Sequence, residues 1–338
     1  MALEVLSDAG KPVDWFFMYK LPDNTKPLKG ADKTFTKTEG TEYMYYDPTV
    51  KGTLALSPHK LDEKAGALYQ TLAQIYDAAK TPPDGMGWIC YNDEIPDTED
   101  NDGEKGHTKG VLAFDLDSDT AFWLLHSWPK FADPSSGDPG AWNYGQTYLC
   151  VQLRDVDTAR AIAKVMFNEQ EPQVYQVHLP GGLPDNDAFS RLATSVDVNE
   201  TDPPADITFL SKGGTQFRCL AKNRHWGKDF WIDLVGPHLG VDMDVETWRR
   251  GTVPDTEDSD GKDEVTDILY INLEHLGVPY EWHYTKDHAK WGVSETDDWV
   301  CVADINRQTS QEKRGGGTIA FRDKTLWDAL RQVEQLKE

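Results

Sequence analysis

The 338-residue sequence contains no long hydrophobic run and no recognisable targeting segment. Nowhere do about 18 apolar residues follow one another, which is the length that a membrane-spanning helix needs. The first residues, MALEVLSDAGKP, lack the basic start and apolar centre of a secretory signal peptide. We therefore expect no membrane association, and a protein that is either cytoplasmic or secreted after removal of a leader.

Cysteines are few, and the common metal and nucleotide motifs are missing. Cys90, Cys150, Cys219 and Cys301 each lie in an apolar stretch, with neither close pairing nor metal-type spacing. Buried reduced thiols are the favoured interpretation, and disulfides remain open. HExxH, paired CxxC and GxxxxGK[ST] do not occur, so the sequence offers neither a zinc ligand set nor a phosphate loop. We expect no metal ion and no cofactor.

Basic residues are scarce, because 34 Lys and Arg stand against 58 Asp and Glu, which gives a formal net charge of −24. Two acidic runs, 92–104 and 253–267, both contain PDTED and resemble a calcium loop. If their glycine takes the sixth loop position, the first ligand position holds threonine and the last lacks glutamate. We interpret both runs as solvated loops, with weak cation binding as the alternative.

A small basic motif stands out against this acidic background. His107 and Lys109 in GEKGHTKGVLAF are two positions apart, so on an extended strand they share a face and can converge on one anion. One such pair could be a solvated strand end. The same spacing recurs, however, at His288 and Lys290 in KDHAKWGVSE. Two occurrences indicate a function.

The sequence around the two motifs is repeated as well. After each motif an apolar strand ends in polar residues, AFWLLHS with His126 and WVCVADINR with Asn306 and Arg307. A glycine turn, a strand and a helical pattern follow in both cases, with the helices predicted at about 157–167 and 323–336. Two copies of one module are therefore predicted.

The repeat sets the predicted fold class and the domain boundary. The segment FFMYKLP at 16–22 is similar to VYQVHLP at 174–180, and each is predicted to be a strand that ends at a proline. Alternating apolar segments and helical patterns indicate an α/β protein with mixed sheets. The predicted halves are residues 1–168 and 169–338, each with one His-x-Lys motif.

Paired His-x-Lys motifs suit chemistry on a phosphodiester. Two lysines and neutral donors can hold the anionic oxygens, which supplies the charge stabilisation that a metal gives elsewhere. A neutral imidazole can then attack phosphorus while a protonated imidazole gives its proton to the leaving oxygen. Two interacting histidines titrate in separate steps, so one pair can fill both roles.

These motifs resemble the deoxyribonuclease II family, within the phospholipase D-like phosphodiesterases. The resemblance spans Lys11 to Thr318 in order, in the segments KPVDWFFMYKLP, GHTKGVLAFD, FWLLHS, YGQTYLCV, DHAKWGVS, WVCVADINR and QEKRGGGT. It implies two similar α-β-α modules related by a pseudo-twofold axis, with the active site between them.

The resemblance also implies the residue roles. The catalytic set it implies is His107, Lys109, His288, Lys290, His126 and Asn306. Asn306 corresponds to an Asn that donates to phosphate, and His126 takes the comparable place in the first half, a departure from that pattern. The substrate-binding set is Lys109, Lys290, Asn306, Arg307 and Arg314. His107 is favoured as the nucleophile by analogy with the wider fold.

The activity that the resemblance implies is metal-independent cleavage of double-stranded DNA in acid, leaving 3′-phosphate and 5′-hydroxyl ends through a phosphohistidine intermediate. A homodimer clamping DNA is implied too. The acidic composition of the chain supports activity in acid, because carboxylates with pKa values of about 4 lose their negative charge in mild acid. Histidines with pKa values of about 6.5 gain a positive charge under the same conditions. We therefore predict highest activity at about pH 4–6.

The cysteines depart from the animal members of the family. Cys150 has no partner before the first strand, and Ala320 stands where a cysteine would be expected. A bacterial-type protein that is not lysosomal fits better. Two alternatives to the nuclease stay open: a phospholipase D-like phosphodiesterase acting on phospholipid, and a non-catalytic DNA-binding relative.

Overall fold

The computed structural model describes residues 2–50, 52–96, 98, 103–130, 142–194, 203–254, 256 and 264–336. The chain first forms the strands β1 (Trp15–Lys20), β2 (Tyr43–Tyr46), β3 (Ala55–Leu56), β4 (Met86–Asn92), β5 (Lys109–Asp115), β6 (Thr120–His126), β7 (Gln146–Leu153) and β8 (Val174–His178). It continues with β9 (Ala205–Leu210), β10 (Gln216–Lys222), β11 (Met243–Glu246), β12 (Val265–Asp267), β13 (Tyr270–Asn272), β14 (Glu281–His283), β15 (Trp291–Ser294), β16 (Trp299–Ala303), β17 (Gly316–Arg322) and β18 (Glu334–Gln335). The α-helices are α1 (Gly66–Ala78), α2 (Val156–Val165), α3 (Ala188–Ala193), α4 (Gly236–Leu239) and α5 (Lys324–Val333). The protein is thus a mixed α and β structure.

Two large sheets and one small sheet make up the fold. The first sheet has the order β3-β2-β1-β7-β6-β5-β4-β8, and the second has the order β12-β11-β15-β16-β17-β10-β9. Neighbouring strands are antiparallel, except that β11 and β12 run parallel. Five strands of each sheet follow the same pattern, β1-β7-β6-β5-β4 in the first sheet and β10-β17-β16-β15-β11 in the second. In both sets the strand that comes first along the chain lies beside the one that comes last, and the other three follow in reverse chain order.

The predicted helices after the glycine strands are confirmed. α2 follows β7 and α5 follows β17, and each begins at an aspartate whose side chain accepts a hydrogen bond from a backbone N–H of the first turn. Asp155 accepts from Thr158 N at 2.7 Å and Asp323 from Leu326 N at 2.8 Å. These caps satisfy amides that the helix itself leaves free.

The hydrophobic core lies between the sheets and on their outer faces. Trp15 of the first sheet packs against Phe217 and Phe321 of the second, with ring centroids 6.3 and 4.9 Å apart. The apolar faces of α2 and α5 belong to this central core, while α1 covers the far side of the first sheet. All four cysteines are buried free thiols, as the sequence predicts.

One sequence correspondence is wrong. The segment echoed at 174–180 forms β8, which pairs with β4 at the edge of the first sheet. The strand placed like β1 is β10, because β10 pairs with β17 as β1 pairs with β7. The boundary at 168/169 stays a prediction, although β8 carries the first sheet beyond it.

Candidate active site

The two His-x-Lys motifs meet between the sheets through reciprocal backbone hydrogen bonds. His107 N–H donates to the carbonyl of Gly315, in the turn before β17, at 2.8 Å. His288 N–H donates to the carbonyl of Gly145, in the turn before β7, at 2.9 Å. Each motif is therefore held by the glycine turn of the other half, which brings together residues far apart in sequence.

The lysines of both motifs are buried at this junction. Lys109 begins β5 and is ion-paired with Asp93, the residue that follows β4. Lys290 immediately precedes β15, and its Nζ donates to the carbonyl of His288 at 2.6 Å. Burial lowers the pKa of Lys290 to about 7, with the charge of Lys109 acting in the same direction. The ammonium group of Lys109 is thus close enough to act on Lys290.

His107 is oriented by the second half of the chain. Its Nδ1 lies 2.6 Å from the carbonyl oxygen of Asp304, and its Nε2 lies 3.7 Å from an Asp93 carboxylate oxygen. Because a carbonyl can only accept, Nδ1 carries the proton and the neutral ring keeps a lone pair on Nε2. Burial, followed by the charge of Lys109, holds the pKa of His107 well below its usual value.

His288 is flanked by aromatic rings instead. Tyr144 stacks on its imidazole with centroids 3.9 Å apart, and the Trp248 ring lies 4.4 Å away at a tilt of 42°. Burial, and then Lys290 and Lys109, lowers the pKa of His288 to about 2. The two histidines therefore differ in their surroundings although their motifs are alike.

The low histidine pKa values differ from the sequence expectation that these rings gain charge in mild acid. The reason is that the site is buried and already holds several cations, so a further positive charge is unfavourable. His126, at the end of β6, follows the same rule: burial and Lys109 lower its pKa to about 3. A bound phosphate anion would act in the opposite direction and raise these pKa values.

The strand registers place His126 and Asn306 differently from each other. The register of β5 with β6, continued by one residue, places His126 opposite Lys109. The register of β15 with β16, continued in the same way, places Ala303 opposite Lys290. If the two lysines are equivalent, His126 therefore corresponds to Ala303. Asn306 lies three residues further along the chain. This differs from the predicted correspondence. Both side chains are buried, each with 2% of its surface exposed, His126 as the last residue of β6 and Asn306 three residues after the end of β16.

The two predicted arginines have different surroundings. Arg307 is fully buried and its guanidinium lies 3.0 Å from Asp267, with further hydrogen bonds to the carbonyls of Val265 and Pro254. Arg314 instead reaches the first motif. It donates to the carbonyl of Lys105 at 3.0 Å and lies 3.3 Å from the Asp93 carboxylate.

Several site residues have no signal in the sequence. Asp93, Tyr144 and Trp248 contact the motif histidines from separate loops. Lys20, at the end of β1, donates to the carbonyls of Trp142 and Tyr144 and so holds the turn that covers His288. The one sequence signal that could have found Lys20 is its charge at the end of an otherwise apolar strand.

Several buried polar atoms at the junction have no hydrogen-bond partner within the part of the chain that the structure describes. Among them are His288 Nε2, Asn306 Oδ1 and Gln146 Nε2. Buried polar atoms are normally paired, so such atoms mark places where a polar ligand or solvent is accommodated. The arrangement can thus receive an anion between the two motifs.

Much of the two acidic runs, residues 97, 99–102, 255 and 257–263, lies outside the described residues, and with it most of the predicted cation-binding loops. The ends of the runs are not solvated as predicted, because Asp93 is buried against Lys109 and Asp267 pairs with Arg307. In the described ranges, no group of three or more His, Cys, Asp or Glu side chains is arranged to hold a metal ion. No helix there is both long and apolar enough to cross a bilayer.

Comparison with known proteins agrees on one family. The sequence model of deoxyribonuclease II matches residues 5–336. A Burkholderia pseudomallei protein named as a candidate deoxyribonuclease-2 is 47% identical over 99% of this chain and 93% of its own. Rat deoxyribonuclease-2-alpha is 32% identical, covering 98% of this chain and 93% of its own.

A solved structure, yeast tyrosyl-DNA phosphodiesterase, covers 65% of this chain and 67% of its own, with 10% identity and a TM-score of 0.34. A likeness this distant carries no inference about the function.

Proposed function

We propose that this chain, which belongs to the deoxyribonuclease II family, is an endonuclease that hydrolyses double-stranded DNA without a metal ion. The products would be 3′-phosphate and 5′-hydroxyl ends. One observation carries the proposal: reciprocal hydrogen bonds from His107 to Gly315 and from His288 to Gly145 bring both His-x-Lys motifs into one buried site.

The proposed reaction uses the two histidines in different roles. His107 Nε2 attacks phosphorus, because the carbonyl of Asp304 holds the proton on Nδ1 and leaves the Nε2 lone pair available. The bound phosphate anion raises the pKa of His288, so that this ring becomes protonated. The P–O5′ bond breaks and His288 gives its proton to O5′, leaving a phosphohistidine on His107. His288 then takes a proton from water, whose oxygen attacks phosphorus and releases the 3′-phosphate and neutral His107.

Lys109 and Lys290 would hold the non-bridging phosphate oxygens in this scheme, with Asn306 as a neutral donor. Both lysines are buried, so their charges act at low effective dielectric and are strong there. Arg314 would support this clamp through Asp93. Arg307, whose guanidinium is engaged by Asp267, would shape the loop around Asn306.

Acid would favour the reaction for two reasons. Since the pKa of Lys290 is lowered to about 7, this lysine is charged below neutrality and loses its charge above it. The negative surface also loses charge as carboxylates protonate near pH ~4, which reduces repulsion of DNA. We expect the rate to peak at about pH 4–6 and to fall by neutrality.

The finer architecture and assembly are also proposals. The shared order of β1-β7-β6-β5-β4 and β10-β17-β16-β15-β11 supports two phospholipase D-like modules, related by a pseudo-twofold axis. A homodimer would suit a two-stranded substrate, and its mass in solution is measured by light scattering.

A bacterial-type enzyme that is not lysosomal would work without disulfides. Its four cysteines are free in the fold, and the similarity to the Burkholderia protein exceeds that to the rat enzyme. We expect a thiol reductant to leave its activity unchanged. A loss of activity on reduction would contradict this.

Plasmid nicking in excess EDTA at mildly acidic pH tests the function. The wild type should cleave, while His107→Ala and His288→Ala should lose about 10³-fold or more in rate. His275→Ala, an exposed histidine on a short helical turn, is the matched control and should cleave normally. Loss of cleavage in EDTA, or full activity of both motif variants, would refute the mechanism.

The two alternatives give different results. A phospholipase would release headgroups from liposomes and leave plasmid intact. A non-catalytic binder would retain DNA in a mobility-shift assay without producing 3′-phosphate ends. An alkaline denaturing quench of a reaction with 5′-labelled oligonucleotide tests the covalent step, because the fragment held through its 3′-phosphate carries the 5′ label, which should stay on the wild type and not on the His107→Ala variant.

A further inference from the structure

Four buried carboxyl groups surround the paired lysines, and one of them differs from the rest. Burial raises the pKa of Asp287, Asp304 and Glu246, so these three tend toward the neutral acid form. Burial acts on Asp93 too, but the charges of Lys109, His107 and Arg314 outweigh it and hold the Asp93 pKa low. Asp93 is thus the one carboxyl among these four whose pKa is held low.

The geometry around Asp93 explains the difference. One carboxylate oxygen is ion-paired with Lys109, while the other lies 3.3 Å from Arg314 Nη1 and 3.7 Å from His107 Nε2. Its side chain is 4% exposed. Arg314 comes from the other half of the chain and also donates to the carbonyl of Lys105. The carboxylate therefore lies where both halves meet.

The second half has no equivalent of this carboxylate. In the first sheet Asn92 pairs with Lys109, and Asp93 is the next residue. In the second sheet Glu246 pairs with Trp291, so the continued register places Thr247 opposite Lys290. The next residue, at the position that matches Asp93, is Trp248, which packs on His288. At this register position the site thus has one carboxylate for two motif lysines, while Asp287 and Asp304 also act on Lys290.

We propose that Asp93 is a positioning residue, the internal counter-ion that holds Lys109 in place and lets Lys109 and Lys290 stand together as a charged clamp for one phosphate. This inference rests on the proposed function. Without an ionised carboxylate, two neighbouring ammonium groups in a buried site would repel each other, and one would lose its proton.

The charged groups facing Asp93 come from every element around it. Lys109, His107 and Arg314 contact it, and Lys290, His288, His126 and Asp304 lie within its electrostatic reach. The negative charge of Asp93 raises the pKa of Lys290, although burial is the larger effect. Removing that charge should therefore lower the pH at which Lys290 becomes neutral.

Inorganic sulfate binding tests this without any cleavage, because the charge of sulfate stays the same over the neutral and mildly acidic range. For the wild type, affinity measured by calorimetry should fall as pH rises through about 7, when Lys290 loses its proton. In Asp93→Asn the midpoint should shift to lower pH by about 1 unit or more. An NMR titration of the Lys290 side chain should show the same shift.

Glu246→Gln is the matched control, since it makes the same change in a buried carboxyl whose pKa is raised. Its midpoint should equal that of the wild type. An unshifted midpoint in Asp93→Asn, or equal shifts in both variants, would overturn the proposal. If Asp93→Asn does not fold, Asp93→Glu keeps the charge and should keep the wild-type midpoint with a lower kcat; a midpoint shifted by a unit would overturn it.

The proposed nuclease function can fail separately. Wild-type protein that binds sulfate with the expected midpoint but never cleaves DNA would refute the nuclease and leave the counter-ion role supported.

Discussion

Gly106, the residue before the first motif histidine, has no room for a side chain. A Cβ built there would lie 1.8 Å from the carbonyl oxygen of Gln170, and 3.1 Å from that of Gly315. Both partners are backbone atoms, which cannot rotate away. To reach even 3.0 Å from the first oxygen, the new methyl group would have to move by about 1.2 Å, because close-packed interiors do not yield freely.

Such a movement would be transmitted to the catalytic ring. Gly106 N–H donates to the carbonyl of Glu171 at 2.8 Å, and the next amide, that of His107, donates to Gly315 at 2.8 Å. A shift of this size in Gly106 would displace or break both bonds. Misplacement of a reacting group by about 1 Å can cost about 10²-fold in rate, and overpacking costs about 1–3 kcal/mol of stability.

We therefore expect Gly106→Ala to lower kcat/KM for DNA cleavage by about 10²-fold while the protein still folds. The assay is plasmid nicking in EDTA, with urea unfolding measured in parallel. Gly103→Ala, three residues earlier, is the control, because a Cβ there meets nothing within 4 Å. Equal activity of Gly106→Ala and wild type would refute the reasoning that this contact positions His107.

Three further predictions concern charge and capping. Arg314→Ala should lower kcat/KM by about 10-fold or more, because a buried charged partner of Asp93 is lost, whereas exposed Lys313→Ala should not; equal effects would contradict a specific role. The pKa of Glu334 is raised to about 8, first by burial and then by Asp244, so its contribution to stability is present below the unfolded pKa of about 4.5 and is lost as pH rises through about 8. Glu334→Gln should flatten this decline in chemical unfolding from acid to alkaline pH, and an unchanged slope would count against it. Asp323→Ala removes the cap of α5 and should cost about 0.5–2 kcal/mol in the free energy of unfolding, with no loss refuting the cap.

The motifs themselves were predictable because chemistry depends on residue type and spacing. His107 with Lys109 and His288 with Lys290 appear in the sequence as a repeated pattern, and each reaches the junction between the sheets. The helices after the glycine strands were predictable too, since α2 and α5 combine an aspartate cap with an apolar stripe. Their boundaries were less certain, and both helices end earlier than the pattern indicates.

The strand correspondences were less predictable. An apolar strand closed by proline occurs at both 16–22 and 174–180, but pairing depends on which edge of which sheet is free. The local sequence of a strand does not specify which sheet edge will be free to pair with it. The strand that pairs with β17 as β1 pairs with β7 is β10, and like β1 it ends with a buried lysine, Lys222.

By itself, the sequence determined the reactive groups, the repeated His-x-Lys spacing and the acidic balance, because each depends on composition and spacing along one chain. Only the tertiary structure decided the surroundings of those groups. Contacts between distant segments make up the site. Asp93 pairs with Lys109, aromatic rings surround His288, and each motif histidine donates a backbone hydrogen bond to a glycine of the distant turn, Gly315 or Gly145. Burial then set the pKa values, because the cost of a charge depends on the neighbours and solvent around it and not on its position in the sequence.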